Sequence, residues 1–180
     1  APNLFTSALI DGCIESGLDV TRGGAKYKAI GINGVASPDV GDSLAAISYC
    51  VFDKKLLSMK DIVEAIKADF KGYEKVRDIL LYQAPKYGND IDYVDNYVKI
   101  VGQIWCNEVE KYEGPHGEKY WPGQFTVSSN VPFGLVTGAL PSGRHAFEPL
   151  ANGGISATNG SDMNGPTALI KSVAKLDHVK

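Results

Sequence analysis

No run in this sequence approaches the roughly 18 consecutive apolar residues that a membrane-spanning helix needs. The first nine residues also lack the basic stretch followed by an apolar one that marks a secretory leader. Cysteine is scarce. Cys13, Cys50 and Cys106 are far apart, odd in number and without a CxxC pair, which argues against a disulfide framework and against a Cys-rich zinc site. Together these absences predict a soluble protein of a reducing, cytoplasmic compartment. A basic excess is missing too: 18 Lys and Arg stand against 21 Asp and Glu, so nothing is left over to neutralise a phosphate backbone and nucleic acid is not an expected partner. His116, His145 and His178 have no metal-ligand spacing to one another or to the cysteines. There is no GxSxG elbow, no GxxxxGK[ST] loop and no GxGxxG after a clear strand.

What is present is 180 residues, enough for one full hydrophobic core, with charge distributed unevenly. Positions 53–119 hold 13 acidic and 11 basic residues, whereas positions 125–180 hold only 7 charges in all. The first stretch reads as solvated, the second as buried, and so charge-poor a final third reads as the interior of something larger. Helical periodicity is strongest in the middle. Leu44, Ile47 and Val51 share a face behind Asp42 or Ser43 as caps, and Ser58 with Asp61 forms a capping box ahead of Ile62, Val63, Ile66 and Phe70 up to Gly72. Helices are further predicted over 73–82 and 92–112, the latter with a stripe of Val94, Tyr97, Val98, Val101, Ile104 and Trp105. A short helix is expected within 4–16, stopped by Gly17. Ala25 to Ile32 is a buried strand or an extended loop, 113–124 a connector, 125–131 a strand ending at Pro132, and the remainder loops around short apolar runs. No internal repeat is evident.

Single motifs carry little chemistry. Gly31 to Gly34 and Gly153 to Ser156 are read as tight turns rather than anion cradles. Asp90, Asp92 and Asp95 lack the spaced Gly and terminal Glu of a calcium loop and read as a solvated helix start. Tyr120 and Trp121 read as packing residues. These features alone leave open a nucleotide- or sugar-binding α/β domain.

Longer strings narrow the field. Ala8-Leu-Ile-Asp-Gly-Cys-Ile-Glu-Ser-Gly17, Gly23-Gly-Ala-Lys-Tyr27 and Val40-Gly-Asp-Ser-Leu-Ala-Ala46 come first. Ala84-Pro-Lys-Tyr-Gly-Asn-Asp90, Ser129-Asn-Val-Pro-Phe-Gly134, Pro141-Ser-Gly-Arg144 and Glu148-Pro-Leu150 follow, then Gly153-Gly-Ile-Ser156, Gly165-Pro-Thr-Ala168 and Ser172-Val-Ala-Lys-Leu-Asp-His178. In order and spacing these resemble the second half of glycyl radical enzymes of the pyruvate formate-lyase and diol dehydratase type, and most resemble the glycerol dehydratase-like branch. The resemblance implies an α/β fold: part of a ten-stranded barrel, a half-barrel segment with amphipathic outer helices. It implies that residues 1–180 are a partial pyruvate formate-lyase-type domain. The thiyl-cysteine loop, usually Gly-Cys-x-Glu-Pro, and the glycyl radical loop, usually Arg-Val-x-Gly-Tyr, do not occur in them.

By the same resemblance the parent is an anaerobic lyase, foremost a dehydratase of a small diol or other hydroxylated substrate. C–N, C–S or C–C lyases, including decarboxylases and formate acetyltransferase, remain open, as does a non-catalytic scaffold derived from the barrel. The implied partners are a small-molecule substrate, the remainder of the parent enzyme, a second copy in a homodimer, and a radical-generating activase that uses S-adenosylmethionine and an iron–sulfur cluster. The mature enzyme is expected to need no metal or other cofactor, and the chain alone is expected to be inactive. Gly12-Cys13-Ile14-Glu15 mimics the cysteine loop, but Ser16 stands where Pro is usual, so Cys13 is read as a buried packing residue of a helix and no residue here as catalytic. The segment 128–134 is expected nearest the substrate, with Ser129, Val131 and Phe133 as binding residues. Phe133 stands where relatives sometimes carry a hydroxylated aromatic.

Overall fold

The computed structural model describes residues 1–178. The elements are α1 (Leu4–Leu9), α2 (Cys13–Ser16), β1 (Ala29–Asn33), α3 (Ser37–Ile47), α4 (Met59–Lys67), α5 (Glu74–Tyr82), α6 (Asp92–Val109), β2 (Lys119–Gly123), α7 (Asn130–Leu135) and α8 (Pro166–Ala174). A π-helical turn, Ser48–Asp53, extends α3. Among the described residues β1 and β2 pair as the only sheet, so the chain is mixed α/β and dominated by helices.

The chain divides into two compact units, the first made of 1–32 and 105–123. Asp19 organises its start: the carboxylate accepts from the Asn3 and Thr21 N–H groups and from the Ser7 and Thr21 hydroxyls. Those hydrogen bonds, the Thr21 hydroxyl first, hold its pKa down at about 2. The expected helix in 4–16 is broken in two at Gly12, whose φ of +95° admits no helix. Gly17, at φ +66°, stops α2 as expected.

The second unit comprises 33–104 and 124 onward. Its centre is α3, which is buried on almost every side. Ala46 belongs to a cluster with Cys50, Ile62, Ala65, Phe70, Leu80, Ala84 and Ala139, while Ala45 packs with Tyr87, Val94, Val98 and Ala157. A helix buried all round needs small residues to let neighbours close in. At Gly41 a Cβ would stand 2.3 Å from Val98 Cγ2 and 3.0 Å from the Val98 nitrogen, so α3 and α6 meet almost backbone to backbone. Gly41→Ala is therefore expected to cost about 1–3 kcal/mol by overpacking, outweighing the roughly 1 kcal/mol of helix propensity that alanine brings. Urea unfolding measures it, and Val98→Ala should restore part of the loss in the double variant.

The capping box is present: Ser58 and Asp61 exchange hydrogen bonds of 2.9 and 3.1 Å, and Ile62 and Ala65 point inward from α4. Of the stripe on α6, Val94 and Val98 are buried, but Ile104 is 63% exposed. Other expectations are corrected. The helix of 44–51 begins seven residues earlier, with Pro38 in its first turn, where no intrahelical N–H is lost. The strand expected over 125–131 does not form; α7 begins at Asn130 and takes Pro132 into its own first turn for the same reason. α8, read as loop, starts with Pro166 just after Gly165. The charge-poor final third is buried only in part among the described residues: Ala139, Arg144, Leu150, Ala151, Ala157 and Ser172 are buried, whereas Phe125, Val131, Phe133, Leu135, Val136, Phe147, Met163 and Ile170 are exposed.

Candidate functional site

The segment singled out by sequence, 128–134, is a short helix clamped from behind. Asn130, buried, takes the Leu150 N–H on its carbonyl at 3.1 Å and returns its side-chain amide to the Leu150 carbonyl at 3.4 Å. Gly134 lies so close to the 148–149 backbone that a Cβ would stand 2.2 Å from the Glu148 oxygen, so only glycine fits. Arg144, 5% exposed, fills the space beneath. Its guanidinium donates to the carbonyls of Gly138 at 2.9 Å, Gly134 at 3.1 Å and Pro149 at 3.4 Å, and to that of Glu148. A planar fork with five donors suits several carbonyls converging from one loop, which a lysine would not satisfy.

On this clamp the three expected binding residues take different positions. Ser129 caps α7 without a side-chain cap bond and is half-buried; Val131 and Phe133 are 46% and 50% exposed. Two positions along a helix are about 200° apart, so Val131 and Phe133 leave α7 on opposite sides, whereas a strand would have put them on one face.

Below the clamp lies a buried polar cluster that sequence reasoning did not assign. Asp39, on α3, accepts from the Ala151 N–H at 2.6 Å and the Thr158 hydroxyl at 3.1 Å, tying α3 to the chain that follows Arg144. Burial nevertheless pushes its carboxyl up. Asp42, one turn on, accepts from the Tyr87 N–H at 2.8 Å and is pushed up to about 7, again by burial above all. Lys86 donates to the Ser142 carbonyl at 2.7 Å, and burial pushes its ammonium down. The signal available in the sequence was two aspartates three apart inside a run of small residues, Ser37 to Ala46, a helix too small-sided to be a surface one.

The remaining candidates resolve as structure. Cys13 is buried on α2, as expected, and the Glu15 carboxylate accepts from the Gly12 N–H at 3.1 Å. His145 lies 3.2 Å from Asp69 and edge-on to Phe70. Gly154 packs on the backbone of Gln124, a close approach of the kind expected for the Gly-rich turns. Asp90, Asp92 and Asp95 are not merely solvated: all three meet Lys175, at 2.8, 2.6 and 2.7 Å, and Asp95 is fully buried. They fasten the start of α6 to α8. Among the described residues no three His, Cys, Asp or Glu side chains converge as metal ligands, and no helix is long and apolar enough to cross a membrane.

Comparison with known proteins places these features in a wider frame. Trans-4-hydroxy-L-proline dehydratase of Clostridioides difficile is 42% identical over 99% of this chain and 23% of its own length. The glycerol-bound B12-independent glycerol dehydratase from Clostridium butyricum superposes with a TM-score of 0.93 at 43% identity, covering 99% of this chain and 22% of that one. A glycyl radical enzyme from Archaeoglobus fulgidus does so at 0.91 and 46%, over 97% and 22%. The chain thus spans about a fifth of the length of the relatives it matches. The strings that carry the resemblance also carry the architecture: Asp42 in the third, Lys86 and Tyr87 in the fourth, α7 in the fifth and Arg144 in the sixth. The family model described as pyruvate formate lyase-like matches residues 1–134, and the chain belongs to that family.

Proposed function

We propose that this chain is part of the second half-barrel of a larger glycyl radical dehydratase, which eliminates water from a small diol or other hydroxylated substrate. What supports the reading is near-complete coverage of the chain by two relatives, one named for hydroxyproline and one solved with glycerol bound. The exposed apolar residues of the final third fit it too, because a segment of barrel interior needs no charged surface. In this reading the chain contributes to a ten-stranded barrel, acts in the cytoplasm as a homodimer, and depends on an activase that uses S-adenosylmethionine and an iron–sulfur cluster. The radical relay supplies hydrogen abstraction through loops that do not occur in residues 1–180. The chain's own part is positional: α7, rigid on Arg144, holds Phe133 against the substrate with Ser129 one turn before it on the same side, and Val131, expected beside them, leaves the helix on the other side.

Phe133 offers the test. It is half exposed, so a phenolic oxygen meets no wall and Phe133→Tyr should change stability by less than about 0.5 kcal/mol. A new hydroxyl beside the substrate should shift relative kcat/KM between more and less hydroxylated substrates by about tenfold, toward the more polar one. The assay uses the whole protein, activated anaerobically, with electron paramagnetic resonance to count radicals. An unchanged substrate ranking refutes the placement of α7. A full radical signal without dehydration of any diol or hydroxylated substrate refutes the activity.

A further inference from the structure

A cavity of about 520 Å³ opens beside α5, between Arg77, Lys86 and the loop 142–163, and the proposed reaction does not use it. Its walls hold three cations, of which Arg144 is committed to carbonyls. The other two are anchored by one bond each to successive carbonyls of a single turn. Arg77 Nε donates to Gly143 at 2.9 Å, and Lys86 Nζ donates to Ser142 at 2.7 Å. A guanidinium has five donors and an ammonium three, so both cations are oriented with donor capacity to spare. The turn itself is fixed: Gly143 sits at φ +91°, and Leu81 Cγ lies 2.7 Å from where a Cβ would stand. Ser142, which carries one of these carbonyls, is 6% exposed, and its hydroxyl oxygen is buried without a hydrogen-bond partner. A buried hydroxyl left unpaired is a cost that a bound acceptor would remove.

We propose that this cavity binds a small organic carboxylate, its head on Lys86, Arg77 and the Ser142 hydroxyl and its body against Leu81, Pro149 and Met163. The planar fork of arginine matches a carboxylate. The apolar wall formed by those three residues offers nothing to a second charged face, which disfavours inorganic phosphate. Two acids also line the space. Asp42, pushed up to about 7, is largely uncharged at pH 6, which leaves Glu148, whose carboxylate accepts the His145 N–H at 3.3 Å, as one acid among three cations.

The test is thermal unfolding of the whole protein at pH 6 and constant ionic strength, against rising butyrate, acetate or inorganic phosphate. Butyrate should raise the midpoint saturably, at lower concentration than acetate, whose shorter body reaches less of the apolar wall. Arg77→Gln and Lys86→Gln should each raise the half-saturating concentration about tenfold, as loss of one charge-assisted bond implies. Ser142→Ala, which removes a single oxygen, should raise it severalfold and serves where either larger change impairs folding. Lys60→Gln, on an exposed side chain, should leave it unchanged. No saturable response, a response that Arg77→Gln, Lys86→Gln and Ser142→Ala all leave unaltered, or an equal response to phosphate would overturn the proposal.

Discussion

Replacing Arg144 with methionine is expected to destabilise the unit built around α3 by about 3–5 kcal/mol, because it leaves several buried carbonyls without their donor at about 1–3 kcal/mol each. Methionine keeps the apolar stem and deletes the guanidinium, so the change isolates the hydrogen bonds. Four carbonyls, of Gly134, Gly138, Glu148 and Pro149, then lose a charged donor in a space with 5% exposure. A bond to a charged group is worth roughly 1.5–3 kcal/mol, and four such losses would exceed the expected total. Two facts reduce it: the Pro149 contact is long at 3.4 Å, and the Gly134 carbonyl also accepts the Thr137 N–H at 3.0 Å. Arg144→Lys should recover less than half, because an ammonium cannot span carbonyls arranged around a fork. Urea unfolding gives the magnitude, and amide hydrogen exchange over 130–136 gives the location. Faster exchange confined to α7 and its loop is the expected pattern; unchanged exchange there would mean that Arg144 does not hold α7.

The same residue shows why some of the fold was legible in the sequence and some was not. α4, α5 and α6 carry their own instructions: a capping box at Ser58 and Asp61, apolar residues at helical spacing, and Gly72 as a stop. Nothing local makes 130–135 helical. Its apolar residues have no period, and the turn is held by Arg144 and Leu150 from later in the chain, so the apparent strand ending at Pro132 was an inference from proline alone. Asp39 poses the same difficulty at longer range, since its partners Ala151 and Thr158 lie 112 and 119 residues away. Family membership was legible for a different reason. It rests on many short strings in fixed order, several of which prove to be the places where backbones touch or buried polar side chains bond to backbone groups, as at Gly41, Asp42, Lys86, Gly134 and Arg144. Physical necessity at each point leaves a recognisable string even where its purpose cannot be read from composition.

Asp42→Asn is expected to stabilise the protein at pH 8, to have little effect near pH 4, and to flatten the fall in stability between them. Asp42 is 1% exposed, and burial outweighs both the Lys86 charge and the Tyr87 N–H that favour its ionised form. Its folded-state pKa of about 7 lies well above the roughly 3.9 of an unfolded aspartate. Between those values the folded chain holds a proton that the unfolded chain has released. Stability therefore declines as pH rises from about 4 to about 7 and stays low above, by an amount on the order of a few kcal/mol. Asparagine is isosteric, and its carbonyl oxygen still accepts the Tyr87 N–H, now seen at 2.8 Å, without ever becoming charged. Two groups limit the gain. Lys86, whose ammonium Asp42 supports, loses that support in the variant, which offsets part of the benefit at neutral pH. Asp39, also pushed up by burial, keeps a residual slope of the same sign. The flattening should accordingly be partial. Urea unfolding of both proteins at intervals from pH 4 to pH 8 decides the matter: converging curves at the acid end with the asparagine variant above at the alkaline end support Asp42 as the titrating group, whereas parallel curves assign the slope elsewhere.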